Sequence, residues 1–159
     1  RVENLGDRSL PFGIGCHTAY KWPLLPDDCP EDYALTFEKE EKLESFNPFG
    51  WRQPFVEGRT RPLSHDLFAN YTRSITDIRS EWVQFGSSRH NRRVKIWRRD
   101  FPFMAIWNQP DPHAALICLE PCTSIHAGDH GCTRLEDREG TIVLYPGQVW
   151  QKGFMVEFE

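Results

Sequence analysis

Glu120 closes the apolar run Leu116-Ile117-Cys118-Leu119-Glu120-Pro121, where a rigid strand would hold a carboxylate at its mouth. Partial burial there disfavours the charged form and raises the carboxyl pKa toward that of a useful general base. Pro121 offers no N–H to a ladder and confines its predecessor to extended geometry, so the ladder is expected to stop at Glu120. An exposed strand-end carboxylate fits the same pattern. His17 ends Gly13-Ile14-Gly15-Cys16-His17, in which two glycines straddle a strand position and permit a bulge or the close approach of a ligand. An imidazole there can deliver a proton near neutral pH; a surface or core histidine is the plainer alternative. Cys122, His126, His130 and Cys132 form a third set, soft ligands that could in principle hold tetrahedral zinc. They lack a Cys-x-x-Cys knuckle, and one residue separates the last pair. An ordinary loop is expected, with no metal.

Strands must position these groups. Leu10, Phe12 and Ile14 alternate as in a half-buried strand, and Tyr33 to Glu38 reads the same way. Glu81 to Phe85 and Val94 to Arg98 flank a turn over Gly86 to Arg93. Ala114 to Leu119 is almost continuously apolar, which predicts cover on both faces. Thr141 to Tyr145 and Gln148 to Phe158 predict a last hairpin about Pro146-Gly147. Glu38 to Ser45 is charged and is expected to hold one helical turn. Proline and glycine break up Trp22 to Pro30 and Asn47 to Pro62, which read as long loops of the kind that often carry function. Short strands separated by turns predict an antiparallel sandwich or barrel.

The chain has 159 residues, enough for one domain with a sizeable core. Its 19 basic and 23 acidic residues leave a formal charge of −4, which argues against a nucleic-acid partner. The basic stretch Arg89-His90-Asn91-Arg92-Arg93 reads as a solvated turn. No apolar run approaches the roughly 20 residues that span a bilayer, so no membrane is expected. Five cysteines, an odd number without compact disulfide spacing, point to a reducing cytoplasm. There is no Walker-type phosphate loop, dinucleotide glycine fingerprint or Gly-x-Ser-x-Gly elbow, so nucleotide-dependent chemistry and serine hydrolysis lack support.

Four segments together resemble the aldose 1-epimerase (galactose mutarotase-like) family. They are Leu10-Pro11-Phe12-Gly13-Ile14-Gly15-Cys16-His17-Thr18-Ala19-Tyr20, Phe101-Pro102-Phe103-Met104-Ala105-Ile106-Trp107, Ile117-Cys118-Leu119-Glu120-Pro121, and Arg138-Glu139-Gly140-Thr141-Ile142-Val143-Leu144-Tyr145-Pro146-Gly147. Their order and spacing are similar to the C-terminal half of that family. The resemblance implies an all-β fold, a large antiparallel β-sandwich, with residues 1–159 as the C-terminal portion of one domain. It also implies a missing N-terminal half or a partner chain.

By the same resemblance, His17 corresponds to a general acid and Glu120 to a general base that interconvert the anomers of a monosaccharide, with no cofactor. The two are expected to line one cleft with a sugar-sized gap between them. Trp107, Asn108 and Asp66 are candidate substrate contacts. Tyr71 stands near a position where members often have a carboxylate, and Cys122 where they often have an aromatic residue. Two alternatives stay open: a non-catalytic carbohydrate-binding sandwich, and a hexose-phosphate epimerase using Arg52, Arg59 and Arg61.

Overall fold

A computed structural model describes residues 1–47, 51–69, 72–111, 113–124 and 134–159. Among these residues thirteen strands follow in chain order: β1 (Val2–Glu3), β2 (Leu10–Phe12), β3 (Ala19–Lys21), β4 (Tyr33–Phe46), β5 (Arg52–Pro62), β6 (Arg73–Ile75), β7 (Trp82–Ser87), β8 (Arg93–Trp97), β9 (Phe103–Trp107), β10 (Leu116–Cys122), β11 (Ile142–Leu144), β12 (Val149–Trp150) and β13 (Met155–Phe158). The helical elements among the described residues are short 3-10 turns. One nine-stranded sheet runs β13-β8-β7-β4-β6-β9-β10-β3, with β5 also on β4; β1 pairs with β12 and β2 with β11. Every pairing among the described residues is antiparallel. The expected all-β antiparallel sandwich class is the one observed.

Alternation within the strands separates the faces of the large sheet. Ile117 and Leu119 on β10, Met104 and Ile106 on β9, Ile75 on β6, and Leu35 and Phe37 on β4 are buried in one core. Val83, Phe85, Val94 and Ile96 extend that core across β7 and β8. Each such side chain contributes about 1.5–3 kcal/mol when fully buried. Cys118, Glu120 and Cys122 are the alternate residues of β10 and point the other way.

Four expectations from sequence are corrected. Glu38 to Ser45 is not helical but forms the second half of β4, and Arg52–Pro62 is a strand rather than loop. The predicted C-terminal hairpin does not form, because its segments pair elsewhere: β11 with β2, β12 with β1, and β13 with β8. The ladder does not stop at Glu120 either, since Pro121 lies opposite Met104 and Cys122 opposite Phe103. Proline lacks only its N–H; the Pro121 carbonyl still accepts a hydrogen bond from the Cys16 amide at 3.1 Å.

The acidic character of β4 has a structural cause. β4 pairs with β7 over Tyr33 to Phe37 and with β6 only at Ser45 and Phe46. Between these contacts the segment joining β6 to β7 leaves the ladder, and its amides need other acceptors. Carboxylates supply them. Glu41 Oε1 accepts from Arg79 N at 3.0 Å, Ser80 N at 2.7 Å and Ser80 Oγ at 2.6 Å, and Glu38 Oε2 accepts from Glu81 N at 2.8 Å. Beside them Arg98 is buried and donates to Ser80 O at 2.9 Å and Phe101 O at 2.7 Å. Glu41 is 3 % exposed, so removing its carboxylate leaves several buried donors unpaired. Glu41→Ala is expected to lower stability in urea unfolding by about 3 kcal/mol or more. Glu44→Ala, on the exposed side of the same strand, should change it by less than about 0.5 kcal/mol.

Candidate active site

Register brings the two sequence-flagged groups together. Ile117 faces Tyr20 and Cys118 faces Ala19, and an isolated bridge pairs Gly15 with Cys122. Carried through the intervening residues, that alignment sets His17 opposite Glu120, and directly opposed residues project from the same face. The His17 Nδ1 to Glu120 Oε1 distance is 3.1 Å. Gly15 permits the alignment: a Cβ there would lie 2.8 Å from the Cys122 Cβ, inside any ordinary contact. At Gly13 a Cβ would fall 2.0 Å from Ser124 Oγ. The glycines therefore let residues 13–17 lie flush against the end of β10.

The same register supplies the floor. Ala105 lies opposite Glu120, and Ser74 opposite Ala105. These small side chains leave space beside the carboxylate, a cavity of about 220 Å³ lined also by Gly15, Cys16, Cys122 and Ser124. Trp107, opposite Cys118, stands edge-on to the His17 ring with centroids 5.9 Å apart. It walls the imidazole.

Glu120 is only 16 % exposed through its side chain, whereas His17 is 68 % exposed. Burial pushes the Glu120 carboxyl above its ordinary range, and the neighbouring His17 charge opposes the rise. The thiols next to it are pushed up as well, Cys118 to about 11 and Cys122 to about 12, by burial and by the Glu120 charge. Both thiols are therefore protonated at neutral pH, and Glu120 is the carboxylate that faces the cavity. An ion pair with one largely exposed partner adds about 0–1 kcal/mol of stability, too little for the pair to be explained as a fastener.

The structure departs from the sequence expectations in several places. His17 and Glu120 touch and leave no sugar-sized gap between them. Asn108 is fully buried, with neither amide atom hydrogen bonded, and does not line the cavity. Asp66 sits exposed on a 3-10 turn (His65–Phe68) and is likewise absent from the lining. Arg52, Arg59 and Arg61 lie along β5: Arg52 over the Phe46 ring, Arg59 bonded to Phe37 O, Arg61 over the Phe55 ring. Tyr71, His126, His130 and Cys132 fall outside the described residues. The basic turn is not simply solvated, because Arg89 pairs with Asp32 at 2.9 Å and His90 with Asp28 at 2.6 Å. Ser74, Ala105 and Cys16 were not foreseen. Cys118 could have been, since it lies two residues from Glu120 on one strand.

An all-β sheet with a carboxylate–imidazole couple on its face defines the class, and comparison with known proteins gives its likenesses. No family model matches the chain. A galactose mutarotase-like protein of Lactobacillus casei superposes over 99 % of the chain with a TM-score of 0.83 and 29 % identity. A galactose mutarotase related enzyme of Lactobacillus acidophilus gives 0.86 and 26 %. A Clostridium acetobutylicum galactose mutarotase-like protein, at 17 % identity and a TM-score of 0.66, shares the fold. In sequence, the LacX proteins of Lactococcus lactis, plasmid and chromosomal, are 26 % identical over 97 % of the chain. The chain spans 54 % of the length of these LacX relatives and 55–56 % of the two Lactobacillus structures. In fold and in sequence the chain is similar to the galactose mutarotase-like proteins.

The raised Glu120 pKa has a consequence for stability. The folded state holds this proton to higher pH than the unfolded chain, whose carboxyl titrates near about 4.3. As pH rises from that value through the folded pKa, ionising Glu120 therefore removes stability. Glu120→Gln carries no such term. The melting temperature of the variant, relative to the parent, should climb between about pH 3 and pH 7 in a series of thermal melts. A relative value that falls over this interval would contradict the buried, proton-retaining carboxyl.

Proposed function

We propose that the chain forms part of a cofactor-independent aldose 1-epimerase, in which Glu120 and His17 interconvert the anomers of a free hexose. The observation that carries this reading is the 3.1 Å contact between a largely buried carboxylate and a largely exposed imidazole on the face of one sheet. Mutarotation needs a base at the anomeric hydroxyl and an acid at the ring oxygen. Those two oxygens share one carbon, so their partners must converge, and a couple in contact suits them better than two groups set a ring's width apart.

Glu120 takes the hydroxyl proton, for which its raised pKa is favourable. His17 gives a proton to the ring oxygen, the C1–O5 bond opens, and the aldehyde forms. Rotation about C1–C2 followed by closure returns both protons in reverse and delivers the other anomer. The likeness to the two Lactobacillus proteins, a galactose mutarotase-like protein and a galactose mutarotase related enzyme, favours this chemistry over a merely carbohydrate-binding sandwich. The three β5 arginines do not line the cavity, which disfavours a phosphorylated substrate.

Polarimetry on the complete protein tests the proposal. Glu120→Gln should lower the mutarotation rate by roughly 10²–10⁴-fold while leaving the fold intact, and His17→Asn should do the same. The parent rate should fall as pH drops through the Glu120 pKa, with that acid limb above the ordinary carboxylate range of about 4.3. Normal activity in Glu120→Gln would overturn the assignment.

A further inference from the structure

A second chemistry is available in the cleft. The His17 ring nitrogen, the Cys118 Sγ and a Glu120 carboxylate oxygen all lie within 4.8 Å of one another. We propose that this trio is a binding site for one divalent cation of the zinc class. Backbone pairing holds all three ligands: Cys118 and Glu120 are alternate residues of β10, and the β10 register places His17 across from Glu120. None depends on a flexible loop.

The donor set selects the ion. One imidazole nitrogen, one carboxylate oxygen and one thiolate sulfur, formed as the cation displaces the Cys118 thiol proton to water, suit borderline-soft zinc, whereas calcium and magnesium prefer oxygen throughout. Bond lengths of about 2.0–2.1 Å to nitrogen and oxygen and about 2.3 Å to sulfur place tetrahedral ligands about 3.3–3.6 Å apart. His17 Nδ1 and Glu120 Oε1, at 3.1 Å, already stand close to that separation. His17 is largely exposed, and a turn of its ring between Trp107 and Glu120 would admit the sulfur. Three protein ligands leave a fourth position open to water or to a ligand oxygen.

Binding does not depend on the epimerase reading, but one consequence does. A cation on His17 and Glu120 occupies the lone pairs that proton transfer needs, so zinc inhibits if those residues are the acid and base.

The test uses the complete protein, freed of metal by a chelator. Cobalt(II) is the first probe, because a thiolate ligand gives a near-ultraviolet charge-transfer band that nitrogen and oxygen ligands do not. One equivalent of cobalt should produce the band, and one equivalent of zinc should remove it. Cys118→Ser should abolish the band and weaken zinc binding in calorimetry by more than about 100-fold, beyond the roughly 10–100-fold that outer-shell changes produce. Cys132→Ser should leave both unchanged. No band, or a band that survives Cys118→Ser, overturns the proposal. Should Cys118→Ser not fold, zinc X-ray absorption on the unmutated protein decides. One sulfur among nitrogen and oxygen ligands supports the site, and a shell with no sulfur or with two overturns it. These readouts are independent of activity, so failure of the zinc site and failure of the epimerase reading are separable.

Discussion

The alignment of residues 15–21 on β10 is the constraint on which the rest of the site depends. Side chains along a strand alternate between faces, so a slip of one residue would turn His17 toward the core and bring Cys16 or Thr18 opposite Glu120. The core opposes such a slip, because Tyr20 would leave its buried place beside Ile117. Gly15 makes the alignment sterically possible, and the Cys16 amide fastens it to the Pro121 carbonyl. Hydrophobic burial on one face thus sets polar geometry on the other.

Where the backbone ladder is interrupted, side chains take its place. Glu38 and Glu41 accept the amides of the segment between β6 and β7, and Arg98 satisfies the carbonyls beside them. This exchange lets β4 join the β7-β8-β13 block to the β6-β9-β10-β3 block within one sheet. The site belongs to the second block, and its position relative to the larger core passes through β4.

The sequence was most legible where burial was two-sided or periodic. The Ala114 to Leu119 run, the Tyr33 start of β4 and the β7–β8 hairpin could all be read from apolar pattern alone. Glu38 to Ser45 misled because its charges serve as hydrogen-bond acceptors, a role that hydrophobic periodicity does not encode. The C-terminal pairings were hidden because β11, β12 and β13 seek partners far away in the chain. As for the site, neither His17 nor Glu120 stood out from its own surroundings, and only the family resemblance joined them. Ser74 and Ala105 carry no signal of their own, since being small matters only beside a neighbour that the fold supplies.

The His17–Glu120 pair also has a kinetic meaning. It closes a loop of about a hundred residues, a separation at which each doubling of length adds only about 0.6 kcal/mol to the entropy of closure. Such remote pairings slow the folding of β proteins compared with local hairpins like β7–β8. The strand that finishes the cleft, β3, is also the three-residue edge of the large sheet, and edges open before cores do. Peeling β3 from β10 would part imidazole from carboxylate while Ile75, Met104 and Ile106 stayed packed beneath. The cleft can thus come apart in a fluctuation much smaller than global unfolding.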